Sequence, residues 1–139
     1  MLRQPIVATV LITGLVLSAH NRQATPLHVE PPCHENPNLV GPCLKIRGVL
    51  RPWNGTPTYR ISRIGTKRIL GIEEWSKRLA GYCALPKYLQ DTIEVAHKEI
   101  VADFVVCPLT KSRPGVMQMV CVDSATHIVT RHSPFFIPN

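Results

Sequence analysis

Between Asn36 and Ile72 the chain carries seven basic residues, Lys45, Arg47, Arg51, Arg60, Arg63, Lys67 and Arg68, and no acidic one. The guanidinium group is a rigid fork of donors that meets a phosphate or carboxylate with two hydrogen bonds at once. The chemistry this run suggests is recognition of an anion. Strand alternation places four of the seven, Lys45, Arg47, Arg51 and Arg60, on one sheet face, and these form the candidate anion-binding set. A solvated outer face that keeps a small protein soluble is the other use of such a run. Aromatic stacking partners are few, with Trp53 and Tyr59 nearby and Tyr59 expected to point inward.

A second cluster has soft-metal character. Met117, Met119 and Cys121 alternate along one stretch, and two thioethers with a thiolate would suit Cu(I). Alternate methionines on a strand more often fill a core, and Cys121 is wanted for a disulfide. His127 and His132 are five apart, and His97 is remote from both, so no histidine pair has ligand spacing. Neither a metal site nor a cofactor is expected. Catalysis finds less support still: the nine acidic residues are scattered, and no nucleophile elbow, zinc-protease helix motif or phosphate-binding loop occurs. Cys33 and His34 adjoin in sequence only, and a catalytic pair must meet in space. The expectation is a protein that is not an enzyme.

The elements that would hold the basic set are strands. From Leu44 to Arg51, apolar and polar residues alternate with the period of two that marks a half-buried strand. Asn54-Gly55 follows, a strong two-residue hairpin signal because both turn positions need positive φ. Such a turn sets Trp53 opposite Thr56, Arg51 opposite Thr58, Val49 opposite Arg60 and Arg47 opposite Ser62. The buried face then holds Ile46, Gly48, Leu50, Tyr59 and Ile61. Gly65 ends the second strand, and Lys67 to Ile72 reads as a third. A helical stretch is expected at Glu73 to Leu79, where the carboxylates suit the helix N-terminus, with a looser segment through Pro86 to Lys98. Ile100 to Leu109 reads as a fourth strand, and Val116 to Asp123 as a fifth that resumes at His127 to Thr130.

All five cysteines, Cys33, Cys43, Cys83, Cys107 and Cys121, lie beyond the N-terminal apolar run. Cys107 and Cys121 stand seven residues either side of Pro114, so a hairpin centred there puts them opposite one another within bridging range. Cys107–Cys121 and Cys33–Cys43 are the expected disulfides, with Cys83 as the spare thiol; an exchange of Cys83 with either leader cysteine remains open. No C-x-x-C pair occurs.

The chain begins with Arg3, an apolar run from Pro5 to Leu17 and then Ser18-Ala19, the three-part layout of a secretory signal peptide. The apolar run is short of the roughly 20 residues of a membrane-spanning helix. An uncleaved anchor is the alternative. The expected division is a signal peptide at 1–19 cut near Ala19, a proline-rich leader at 20–42, a β-barrel domain at 43–133 and an apolar tail at 134–139. Loss of Arg3 leaves fifteen basic against nine acidic residues, an excess that favours anionic partners. Export disfavours nucleic acid and points to phospholipid, lipopolysaccharide or an acidic glycan, with only peripheral contact to the membrane.

Three strands, a helical connection and two more strands, with Gly48 midway along the first, is the element order of an OB-like five-stranded barrel with one helical connection between strands 3 and 4. The blocks Cys43–Ile72 (C-L-K-I-R-G-V-L-R-P-W-N-G-T-P-T-Y-R-I-S-R-I-G-T-K-R-I-L-G-I) and Phe104–Ala125 (F-V-V-C-P-L-T-K-S-R-P-G-V-M-Q-M-V-C-V-D-S-A) resemble a group of small exported bacterial proteins of no assigned activity. The resemblance covers roughly half of the chain and implies a bacterial envelope or secreted setting. The expected function is therefore a non-catalytic, periplasmic or secreted binding or structural module whose basic hairpin face contacts an anionic envelope component. The alternative is an accessory protein that docks another envelope protein through its leader or its apolar tail.

Overall fold

The computed structural model describes residues 31–74 and 77–133. The expected signal peptide, the leader before Pro31 and the apolar tail at 134–139 lie outside the described residues.

The chain is mainly β. Five strands, β1 (Leu44–Pro52), β2 (Tyr59–Arg63), β3 (Ile69–Ile72), β4 (Lys98–Pro108) and β5 (Gln118–His132), pair in the order β1-β2-β3-β5-β4, and β4 returns to β1. The sheet thereby closes into a ring. Every pairing is antiparallel except β3 with β5, which runs parallel through Leu70↔Gln118, Gly71↔Met119 and Ile72↔Val120. Alternation fills the inside with Ile46, Leu50, Ile61, Leu70, Ile100, Phe104 and Val122, and Leu50 and Ile61 are 0% exposed. Gly48 is required where β1 crosses closest to β2: a Cβ there would lie 2.5 Å from Ile61 Cγ2.

The β1–β2 hairpin differs from expectation by two residues. Arg51 faces Arg60, Val49 faces Ser62 and Gly48 faces Arg63, and the Trp53 amide donates to the Thr58 carbonyl at 2.7 Å. A two-residue turn at Asn54-Gly55 would set Pro57 opposite Pro52, and neither proline has an N–H for the ladder. The connection therefore widens to residues 54–57. A slip of two leaves every side chain on its expected face, since strand faces alternate with a period of two.

The helix also lies elsewhere. Residues 77–79 form only a single 3-10 turn, and the α-helix, α1, spans Lys87–Glu94. Glu73 cannot open a helix because its amide still donates to the Val120 carbonyl at 2.9 Å, prolonging the β3–β5 ladder. Pro86 then stands at the N-cap of α1, just ahead of the first turn, where its missing amide donor costs nothing. Leu89 and Ile93, four apart, face the core and are each 1% exposed. With Leu85 they close the end of the ring where β3 leaves and β4 enters.

The four expected cysteines are bridged, but in another pairing: Cys33–Cys121 and Cys43–Cys107, with Cys83 left out of both bridges. Cys107 and Cys121 do face each other across β4 and β5. In a ring, however, β4 has a neighbour on both sides. Leu44 faces Val106 across β1 and β4, so Cys43 stands beside Cys107 as well. Cys121 is then available to Cys33, which straps the leader over β5. The strap is also held by the Val40 backbone amide on the Pro108 carbonyl at 2.9 Å and by the Asn36 side-chain Nδ2 donating to the carbonyls of Arg78 and Leu79. Two such disulfides are the mark of an oxidising, extracytoplasmic environment. Among the described residues, no helix is long and apolar enough to cross a membrane.

Candidate anion-binding site

The four residues expected to bind an anion do share the outer face of β1 and β2, but that face is not purely cationic. Ring closure brings β4 alongside β1 and sets Asp103 opposite Arg47. Arg47 Nη1 lies 3.4 Å from Asp103 Oδ1 and 3.3 Å from the His127 carbonyl, and Lys45 Nζ lies 3.9 Å from Asp103 Oδ2. His127 Nδ1 contacts the same carboxylate at 2.9 Å. One row along, Glu99 takes Arg51 at 3.5 Å on one side and Arg131 on the other. Glu99 is only 3% exposed. Each acid on β4 thus sits between side chains of its two neighbouring strands, Asp103 between Arg47 and His127 and Glu99 between Arg51 and Arg131. Partial desolvation works to raise the Asp103 carboxyl pKa. The His127 hydrogen bond and the charges of Arg47 and Lys45 outweigh it and hold the group below the ordinary aspartate value. Arg60 is engaged differently: its Nε donates to the Pro57 carbonyl at 3.1 Å, and its guanidinium lies 5.3 Å from the Trp53 ring centroid, within cation–π range.

Sequence reading missed Glu99 and Asp103 as partners. The signal was present, since Glu99, Val101 and Asp103 alternate as outward positions of β4. What periodicity does not reveal is that β4 lies next to β1.

Five of the cations outside ion pairs gather at one end of the ring. Arg63, Lys67 and Arg68 flank the β2–β3 turn, and Lys111 and Arg113 sit in the connection from β4 to β5. Among the described residues, none of these five pairs with a carboxylate. Local bonds fix both turns. The Arg63 amide donates to the Arg68 carbonyl at 3.0 Å, and the Arg68 amide donates to Thr66 Oγ1 at 3.1 Å. In the other turn, the Met119 backbone amide donates to Thr110 Oγ1 at 2.9 Å and the Gln118 side-chain Nε2 to the Thr110 carbonyl at 3.0 Å. Arg68 Nη2 donates to Ser112 Oγ at 2.6 Å and ties the two turns together. Between them opens a cavity of about 480 Å³, walled by inward-facing residues of the ring such as Ile46, Leu70, Val106 and Val120.

The opposite end, closed by α1, has the reverse character. A cavity of about 660 Å³ there is lined by Glu73, Glu74 and Glu94 together with Tyr59, Tyr82 and Cys83. Each carboxylate is engaged. Glu73 accepts from Arg78 at 3.1 Å, Glu74 accepts the Thr58 amide, and Glu94 accepts the Tyr59 hydroxyl. Burial, the hydrogen bond to Glu94 and the charges of Glu94 and Glu74 all push the Tyr59 hydroxyl above its ordinary pKa. Among the described residues, no group of three His, Cys, Asp or Glu side chains could hold a metal ion. The soft-ligand set is not assembled either. Cys121 is consumed in its bridge, and the Met117 and Met119 sulfurs pack over Gly71, 2.9 and 2.8 Å from where a Cβ would stand. Cys33 is likewise bridged, and its neighbour His34 contacts Asp123 at 2.8 Å.

No protein-family model, curated protein or solved structure matches the chain.

Proposed function

We propose that this chain is a non-catalytic binding module of the bacterial envelope, periplasmic or secreted, built on an OB-like barrel and contacting an anionic component through the end of the ring that carries Arg63, Lys67, Arg68, Lys111 and Arg113. The barrel reading is supported by the strand order, the parallel β3–β5 closure, the helix between β3 and β4, and the glycine where β1 packs tightest. The binding reading rests on a single observation. The five cations come from two interlocked turns, and none has a carboxylate partner among the described residues, while Glu73, Glu74 and Glu94 line the cavity at the other end. A fixed cationic end of this kind attracts polyanions and orients their approach. The hairpin face contributes less than its sequence suggests, because Lys45, Arg47 and Arg51 are already drawn to Asp103 and Glu99.

The test is retention of the full exported chain on a sulfated-polysaccharide resin. Raising the salt from about 0.1 M to about 1 M shortens the screening length from ~10 Å to ~3 Å and should release the protein. Lys67→Glu with Arg113→Glu should abolish retention at low salt. Retention that resists salt and survives this double reversal would instead favour an accessory role with an apolar docking surface.

A further inference from the structure

The same end of the ring is apolar as well as cationic. Of the described residues, Leu44 at 55% exposure, Ile64 at 51% and Val116 at 57% are large hydrophobics left in solvent, and all three belong to the strand start and the turns around this mouth. The cavity between them leads inward to Ile46 and Leu70, which belong to the buried core. Among the described residues, none caps this end in the way that Leu85, Leu89 and Ile93 cap the other. Its volume of about 480 Å³ falls within the roughly 300–1,000 Å³ typical of sites that enclose a small molecule. Arg63 and Arg68 stand on its rim, and the Ser112 hydrogen bond holds Arg68 in place.

An apolar shaft under a pair of guanidiniums has a complementary ligand shape: one hydrocarbon chain ending in a carboxylate or a phosphate. A nucleotide or sugar would leave its polar edges unpaired against Ile46, Leu70 and Val106. A neutral lipid would leave the two arginines unused. Exposed Leu44, Ile64 and Val116 beside five cations also form the kind of rim that rests on an anionic lipid surface, with the apolar side chains at the headgroup boundary and the charges beside the headgroups.

We propose that the cavity at the open end of the ring binds a single-chain amphiphile with an anionic head, its chain lying between Leu44, Ile46, Leu70 and Val106 and its head group on Arg63 and Arg68. This rests on the anion-binding reading of the same end and names the ligand class. The arginines orient the ligand head outward, and the inner residues select an unbranched chain over a bulky ring system.

Calorimetric titration of the full exported chain with dodecanoate, dodecyl phosphate and dodecanol, each below micelle formation, tests the assignment. One-to-one binding of at least one anionic form is expected, at least about tenfold tighter than dodecanol, since one lost charge-assisted contact is worth about that factor. The better of the two anions tells whether the head is a carboxylate or a phosphate. Arg63→Gln with Arg68→Gln should remove the tenfold preference and leave dodecanol binding unchanged. Leu44→Trp, placed at the exposed lip so that folding is spared, should weaken all three. Absence of one-to-one binding, or binding indifferent to both variants, would overturn the proposal. If sulfated-polysaccharide retention persists in that case, the anion-binding reading stands and only the cavity ligand is wrong; loss of both would overturn both.

Discussion

Cutting the leader strap should have a large and specific effect. Cys33–Cys121 joins residues 88 apart in sequence, but with Cys43–Cys107 intact the loop it closes is only about 25 residues, for which the loop-entropy relation gives about 3.5 kcal/mol of destabilised unfolded chain; measured losses in small exported domains run at ~2–5 kcal/mol. A domain of this size has a total stability of only about 5–15 kcal/mol, so Cys33→Ala with Cys121→Ala should remove a third or more. With a urea m-value of ~1–3 kcal/mol per M, the midpoint should fall by on the order of 1–3 M and the slope should steepen, because the unlinked unfolded chain exposes more surface. The single variant Cys33→Ala is more informative. It leaves the Cys121 thiol directly across the sheet from Cys107, which is bridged to Cys43. Attack of the Cys121 thiolate on the Cys107 sulfur forms Cys107–Cys121 and releases Cys43 as the leaving thiolate. Peptide mapping of the non-reduced variant should therefore show Cys107–Cys121 alongside Cys43–Cys107, increasingly so above neutral pH. A double variant that loses less than about 1 kcal/mol, or a single variant that keeps Cys43–Cys107 alone at every pH, would refute the placement of three cysteines side by side, one just before β1 and the others on β4 and β5.

Three further outcomes follow from the packing and the charges. Glu99→Gln leaves Arg51 and Arg131 facing one another without the carboxylate between them; both arginines reach solvent, so the loss should be about 1–3 kcal/mol, below the ~3–5 of a fully buried pair, and Arg51→Ala in the same chain should recover part of it in a denaturant double-mutant cycle. Gly48→Ala drives a Cβ to within 2.5 Å of Ile61 Cγ2 and should cost about 1–3 kcal/mol by overpacking, with Ile61→Leu in the same chain, which removes that β-branch methyl, restoring some of the melting temperature. Asp103 has a folded pKa below its ordinary value, so its contribution is complete above the unfolded pKa and is lost as the pH falls through the folded one; the stability difference between the parent and Asp103→Asn should accordingly be constant from neutral pH down to the ordinary carboxylate range and shrink in acid below it, as read from denaturant midpoints.

Local patterning carried the strand count, the face of every residue in β1 and β2, and the identity of the bridged cysteines. It carried less about neighbours. Leu50 and Ile61 were legible as core because alternation is a property of a single strand, and it survived the two-residue slip imposed by Pro52 and Pro57. The helix was misplaced because Glu73-Glu74 resembles a helix start in isolation, whereas the Glu73 amide is committed to Val120, a residue far along the chain. Both disulfide pairings depend on β4 having β1 on its second side, a contact across 64 residues for Cys43 and Cys107.

The same limitation governs how a basic run should be read. A cation on a strand has lateral neighbours on both sides, and ring closure guarantees that both sides are filled, so Lys45, Arg47, Arg51 and Arg131 all meet the acids of β4. A cation in or beside a turn has no such ladder to answer it. The seven charges between Asn36 and Ile72 therefore divide by element. Those inside β1 are spent on structure, Arg60 rests on Trp53, and Arg63, Lys67 and Arg68 at the β2–β3 turn remain available. They are joined there by Lys111 and Arg113, which are more than forty residues away in sequence, through the Arg68–Ser112 contact. The cations available to an anion consequently lie where the two turns meet, and not on the sheet face where the positive charges are most regularly spaced.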